Sequence, residues 1–201
     1  MAANAKRFVL ERRAVVAELL AARGDALLVT GLGAPTWDAT AAGDHPLNFY
    51  LWGGMGGAAM VGLGLALAQP KRRVLVLTGD GEMLMGLGSL ATIAVPQPAN
   101  LAVVVIDNER YGETGMQETH TRHGVDLAKI AEGAGFRAAT TITDRRQLQA
   151  WIPRLYRERG PVFAAIKVTP IQGPLTLPMS DGTAIQHRFR QALGSEKLAR
   201  G

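Results

Sequence analysis

Val74-Leu75-Val76-Leu77-Thr78-Gly79-Asp80-Gly81-Glu82 is an apolar run that breaks at two glycines placed either side of one carboxylate. A short apolar run closed by glycine reads as a buried strand, so the turn carries Asp80 to the strand's carboxyl end. A second run, Leu101 to Ile106, ends in Asp107-Asn108-Glu109-Arg110-Tyr111, and 26 residues (82 to 107) separate Gly81 from Asn108. A small divalent cation wants hard oxygen ligands in an octahedron and takes few of them from protein when phosphate and water supply the rest. Asp80 supplies charge and Asn108 a neutral oxygen. Gly79 and Gly81 let backbone N–H groups close on an anion, and a helix over Glu82 to Ala94 turns its N-terminus toward a diphosphate. One turn thus serves metal and phosphate together.

Outward from this turn the chain alternates. Strands are predicted at Ala26 to Thr30, Val74 to Thr78, Leu101 to Ile106, Arg137 to Ile142 and Val162 to Val168. Helices are predicted at 58 to 69, 82 to 94, 126 to 134 and 144 to 158, after an amphipathic opening helix over 6 to 22. In that helix Phe8, Val9, Val15, Val16, Leu19 and Leu20 form the stripe, with Arg7, Glu11, Arg12, Arg13 and Glu18 largely elsewhere. Val-, Ile- and Leu-rich strands separated by helices imply parallel pairing with both sheet faces covered. The expected fold is therefore α/β, a doubly wound, mainly parallel sheet with helices on both faces, in one domain spanning 1–201. Ligands of such sheets sit outside the carboxyl ends of the strands, which brings the loops 31–36, 79–82 and 108–115 to one site. The proline-rich segment 170–178 and a final helix over 183–193 make a C-terminal tail, read as a lid, a swapped arm or simple covering.

Composition narrows the function. A chain of 201 residues with 47% hydrophobic content can bury one good core. It has no cysteine, which excludes disulfides, thiolate nucleophiles and cysteine zinc sites and fits a reducing, cytoplasmic location. The formal charge of +5 and pI near 10.0 come from scattered arginines with few aromatics between them, so the charge reads as an attraction for anionic ligands rather than nucleic acid. Leu47 to Pro70 is uncharged and precedes Lys71-Arg72-Arg73, the outline of a membrane span. Gly53, Gly54, Gly56 and Gly57 interrupt it and leave about 13 residues where a span needs roughly 20, so a buried helix is expected there. Residues 1–7 lead into charged residues instead of an apolar run, and no secretory signal is expected.

Four further blocks stand in order around the two loops: Gly54-Met55-Gly56, the helix Gly62 to Ala68, the run Leu84 to Ala94, and Gly115-Met116-Gln117-Glu118-Thr119-His120-Thr121. With them, residues 25–168 resemble the diphosphate-binding domain of thiamine diphosphate enzymes. Within that family they are most similar to the smaller subunit of the sulfopyruvate decarboxylases and the C-terminal half of the phosphonopyruvate decarboxylases. The resemblance implies thiamine diphosphate and Mg2+ as cofactors and decarboxylation of a small 2-oxo acid as the activity. It assigns the metal to Asp80, Asn108 and the carbonyl of Arg110. Cofactor contacts fall to Gly31, Gly33, Gly53, Met55, Gly79, Gly81, Glu82, Asn108, Tyr111 and Gly112, with Met55 as the apolar wedge that keeps the cofactor bent, the Gly53 carbonyl meeting the aminopyrimidine, and the Met55 N–H on a ring nitrogen. The glutamate that activates the aminopyrimidine belongs, in this family, to a separate pyrimidine-binding domain for which this chain has no room. A pyrimidine-binding partner subunit in a hetero-oligomer is the expectation.

Each residue also has a plainer reading. Asp80 could cap the helix after it, Asn108 could be a turn former, and Met55 could be core. His120, Glu113 and Gln117 are the candidates for proton transfer or carboxylate binding, with surface roles as the alternative; His123 is a weaker candidate. Arg110 replaces a usual glycine and could meet a substrate anion. The basic residues of the sulfonate- and phosphonate-processing relatives are not evident in 171–178. Two rival functions remain at this level: a non-catalytic, cofactor-binding regulatory subunit, and a dinucleotide-binding oxidoreductase whose G-x-G-x-x-A would be Gly54 to Ala59.

Overall fold

The structure is a computed structural model that describes residues 8–51, 53–171 and 173–194. Six strands form one parallel sheet: β1 (Leu27–Thr30), β2 (Asn48–Tyr50), β3 (Val74–Gly79), β4 (Leu101–Asp107), β7 (Ala138–Ile142) and β8 (Val162–Lys167), in the order β2-β1-β3-β4-β8-β7. A small antiparallel hairpin, β5 (Arg110–Tyr111) with β6 (Gln117–Glu118), lies apart from it. The chain steps from β1 outward to β2, then returns to the other side of β1 to make β3. The order therefore reverses between β1 and β3, and a crevice opens at their carboxyl ends.

Alternation along each strand sends side chains to two cores. Leu27, Val29, Val74, Val76, Leu101, Val103, Val105 and Phe163 face α3 (Ala58–Ala68), α5 (Gly88–Ala94) and α6 (Leu127–Ala134). Leu28, Leu75, Leu77, Val104, Ile106 and Ile166 face α1 (Arg12–Ala21), α2 (Ala34–Ala41) and α7 (Arg145–Arg157). Both faces are dry, so the strands can be apolar throughout. α8 (Gly182–Ala192) covers the β2 edge, with Phe189 edge-on to Phe49 at 5.5 Å between centroids. Asp126, Asp144 and Asp181 cap α6, α7 and α8 through bonds to backbone N–H groups.

Several expectations need correction. Of the opening helix over 6–22, residues 6 and 7 lie outside the described residues, and α1 begins at Arg12 because Glu11 turns its carboxylate onto the N–H groups of Arg13 and Ala14. Arg12, expected on the polar side, is buried and pairs with fully buried Asp38 of α2. The single helix over 82–94 is two, α4 (Asp80–Met85) and α5, broken at Gly86, where a Cβ would overlap the carbonyl of Gly56. Helix α2 and the hairpin were not anticipated. The uncharged stretch 47–70 divides into β2 and α3, and no described helix is long and apolar enough to cross a membrane.

Two glycines of α3 separate packing from propensity. A Cβ at Gly62 would overlap the Val76 Cγ2 methyl, whereas one at Gly64 meets nothing within 4 Å. Gly62→Ala is expected to cost about 1–3 kcal/mol by overpacking, and Gly64→Ala to gain up to about 1 kcal/mol from helix propensity. Urea midpoints of the two variants, at unchanged m-value, check this; a stabilised Gly62→Ala would mean that α3 does not press on β3.

Candidate active site

Three strand ends and their loops enclose a cavity of about 340 Å³ at the β1/β3 switch point. From β3 comes Asp80, the first residue of α4, only 1% exposed. From β4, whose register with β3 pairs Gly79 with Ile106, come Asp107 and Asn108 at the next two positions. From β1 comes the loop into α2. Gly33, Met55, Gly79, Asp80, Gly81, Glu82, Asn108, Arg110, Tyr111, Gly112 and Glu113 all line this one cavity. Gly31, Gly53, Gln117 and His120 are not among its lining residues. Gln117 folds back onto Thr114, its amide donating to the Thr114 carbonyl at 2.8 Å, and His120 is exposed at the start of a 3-10 turn. His123 pairs with Glu118 at 3.2 Å.

The glycines are required for reasons of space. A Cβ at Gly31 would overlap the carboxylate of Glu82, which reaches back from α4 across the switch point and accepts the Leu32 N–H at 2.8 Å. Glu82 is thus a strut between two loops and not only a charge in a first helical turn. Burial pushes its carboxyl above the usual range, against hydrogen bonds from the Thr78 hydroxyl and from backbone N–H groups that pull it down. A Cβ at Gly81 would overlap the Tyr111 ring, and Gly33, at φ 72, faces Glu113, whose Oε1 accepts the Trp37 indole N–H at 3.3 Å. Gly173, Pro174 and Leu175 of the tail also line the cavity, and Arg13 ties the segment down by donating to the Pro174 carbonyl at 2.6 Å. The tail therefore covers the site from its own chain.

The donor set fits a small divalent cation. The Asp80 Oδ2 accepts the Thr119 hydroxyl at 2.5 Å and stands 3.4 Å from that of Thr121, but among the described residues no cationic side chain pairs with Asp80. Burial, and behind it the charge of Asp107, pushes the Asp80 carboxyl up to about 7, against hydrogen bonds and the more distant Lys167 that pull it down. Such a buried, uncompensated carboxylate invites a cation. Asn108 Oδ1 accepts the Arg110 N–H at 2.9 Å, which fixes its carbonyl in the turn. Among the described residues no three His, Cys, Asp or Glu side chains form a metal cage, so a cation held here would complete its shell with neutral protein oxygens, water or a ligand. The start of α4 suits a diphosphate, because Gly79 at its N-cap provides no side-chain acceptor and leaves N–H groups for an anion; α2 adds only the Ala34 N–H, since Pro35 has none and those of Thr36 and Trp37 go to the Gly33 carbonyl.

Thr119, Thr121, Lys167, Arg12 and Trp37 had no role in the sequence reading. Thr119 and Thr121 stand two apart in the segment 115–121, which is the one local sign that they share a partner. Lys167 closes β8 and bonds Asp107 and Glu109, 60 residues away in sequence from the first of these. The dinucleotide reading also fails on position: Gly54 to Ala59 follows the three-residue edge strand β2 instead of a strand at the switch point.

Residues 33–166 match the family described as thiamine pyrophosphate enzyme, C-terminal TPP binding domain. The chain is 38% identical over 181 residues to sulfopyruvate decarboxylase subunit beta of Methanothermobacter thermautotrophicus, covering 90% of this chain and 94% of that one. It is 36% identical over 168 residues to phosphonopyruvate decarboxylase of Streptomyces viridochromogenes, covering 83% of this chain and 42% of the other. Among solved structures, thiamine diphosphate-dependent 4-hydroxybenzoylformate decarboxylase of Rhodococcus jostii RHA1 superposes with a TM-score of 0.68 at 20% identity, over 86% of this chain and 35% of that protein. The chain thus spans about a third of that structure, and the likeness to it is one of fold.

Proposed function

The chain belongs to the thiamine pyrophosphate enzymes through their C-terminal TPP-binding domain, and on that premise we propose that it is the cofactor-carrying subunit of a two-polypeptide 2-oxo acid decarboxylase. The observation that carries this reading is the single cavity where Asp80, Asn108 and two uncapped helix ends meet. Near-complete coverage of a relative that is itself named a subunit supports the division of the enzyme into two chains.

Asp80, Asn108 and the Arg110 carbonyl would hold Mg2+, and the N–H groups at the start of α4, with that of Ala34 in α2, would receive the diphosphate. Met55, on the cavity wall and 36% exposed, props the rings, its unbranched side chain suiting an irregular hollow. The Met55 N–H, and the Gly53 carbonyl just outside the cavity lining, would serve the aminopyrimidine. When bound, thiamine diphosphate supplies the carbon nucleophile and the electron sink on which a 2-oxo acid loses carbon dioxide. The protein positions, excludes water and moves protons. Glu113 is the proton-transfer candidate that lines the cavity, whereas Gln117 and His120 lie outside its lining. Arg12 and Arg110 line the same cavity and are the candidates for meeting a substrate's second anion, although Asp38 and Glu118 share them.

An uncharged surface supports a partner. Met60, Gly64 and Leu67 on α3, with Met85, Gly88, Ala91 and Val95 along α4 and α5, are exposed, and Met85 packs beside Gly56, next to Met55. Small residues among apolar ones allow close approach of another subunit, and a face ending at the cofactor wedge is suited to the subunit that brings the activating glutamate.

Substrate class is tested by carbon dioxide release from a panel of 2-oxo acids with the reconstituted complex. Sulfopyruvate and phosphonopyruvate are expected to exceed pyruvate and uncharged analogues by about tenfold or more in kcat/KM, the size of one added charge contact. Equal turnover of uncharged side chains would remove the dianionic substrate.

A further inference from the structure

Lys167 ends β8 in register with Asp107 at the end of β4. Its ammonium stands 2.7 Å from Asp107 Oδ2 and 3.0 Å from Glu109 Oε1, with only 13% of the side chain exposed. Asp107 Oδ1 accepts the Thr121 hydroxyl at 2.8 Å, while the Thr119 hydroxyl goes to Asp80. Each hydroxyl has one proton to give, so each carboxylate receives one. The two carboxylates are therefore alike in burial and in hydroxyl bonds; Asp107 Oδ1 also accepts the Glu109 N–H at 3.1 Å, and among the described residues Asp107 alone of the two pairs with a cation.

We propose that Lys167 is a positioning residue for the metal, a built-in counter-ion that withholds Asp107 and leaves Asp80 as the single charged ligand. The proposal rests on the cofactor reading of this cavity. Two free carboxylates at neighbouring strand ends would attract a divalent cation without help and would repel the diphosphate that has to follow it. With Lys167 in place the cation finds one negative charge and stays only when the diphosphate completes its shell. Metal and cofactor binding become mutually dependent. Glu109, at φ 60 and 3% exposed, is the second arm of the same clamp, held at a backbone angle uncommon for a residue with a side chain.

The test uses the full chain with Lys167→Met, Asp107→Asn and the double variant. Calorimetry measures Mn2+ binding without cofactor, and thiamine diphosphate binding at saturating Mg2+. Lys167→Met is expected to bind Mn2+ about 10-fold more tightly and thiamine diphosphate about 10-fold more weakly, and the double variant to return both toward the parent. A merely structural lysine would weaken both ligands together, and that result would overturn the proposal. Asp107→Asn alone should leave the Mg2+ requirement within about twofold, and a loss of about 10-fold or more would make Asp107 a ligand and overturn it independently, even where Lys167→Met does not fold. A parent chain that binds no thiamine diphosphate sinks the cofactor reading, while the Mn2+ measurements still decide the role of Lys167.

Discussion

Replacing Asp80 with asparagine is expected to abolish Mg2+-dependent binding of thiamine diphosphate and, at neutral pH, to make the cofactor-free chain more stable. The loss follows from removing the one charged ligand. Outer-shell changes at metal sites cost about 10–100-fold in affinity, so a charged ligand in direct contact should exceed that range. The gain in stability follows from linkage. In the unfolded chain Asp80 titrates near its ordinary value of 3.8, whereas burial and the neighbouring charge of Asp107 raise it to about 7 in the folded chain. Between those values the folded state holds a proton that the unfolded state has lost, so the contribution of this group to stability falls as pH rises through the window and stays low above it. Asparagine has the same shape, still accepts the Thr119 hydroxyl and never ionises. The melting-temperature difference between Asp80→Asn and the parent, both without ligands, should therefore widen from pH 5 to pH 7.5, with an upper bound of about 4 kcal/mol at the high end. Calorimetric titration with cofactor and thermal melts at the two pH values check both halves. If Asp80→Asn binds the cofactor normally, the metal assignment is wrong. If the gap in melting temperature does not change with pH, Asp80 is not the charge that the fold pays for.

The second large effect is a separation of binding from turnover. Both helix ends, Asp80, Asn108 and Met55 belong to this one chain and line one cavity, so the chain alone should bind thiamine diphosphate with Mg2+. On the proposed reading, which gives the activating glutamate to a pyrimidine-binding partner, it should nevertheless release no carbon dioxide from sulfopyruvate above the cofactor-only background. Adding that partner should restore saturable turnover. Robust activity of the purified chain by itself would defeat the split site. Binding without turnover even in the presence of the partner would favour a regulatory, non-catalytic subunit instead.

Much of the sheet and of its carboxyl edge was legible in the sequence. The strands around Asp80 and Asn108 announce themselves because a strand buried on both faces must be a continuous apolar run, and the glycines that end them mark the turns. Asp126 and Asp144 likewise begin helices where their side chains can meet free N–H groups. Less legible was whatever depended on a neighbour distant in sequence. The run 82–94 has helical composition throughout, and nothing local says that the Gly56 carbonyl lies against Gly86 and breaks it. Arg12 has the look of a surface residue until Asp38 comes beneath it.

By itself the sequence determined the parallel α/β sheet and the edge of it at which Asp80 and Asn108 meet in one cavity. These are consequences of hydrophobic period and turn chemistry, which are local. Tertiary structure alone decided that Glu82 braces the β1 loop, that the tail roofs the cavity, and that Lys167 takes Asp107 and leaves Asp80 uncompensated. Charges are shared out by distances of a few ångströms between separate strand ends, and such distances exist only once the sheet has formed.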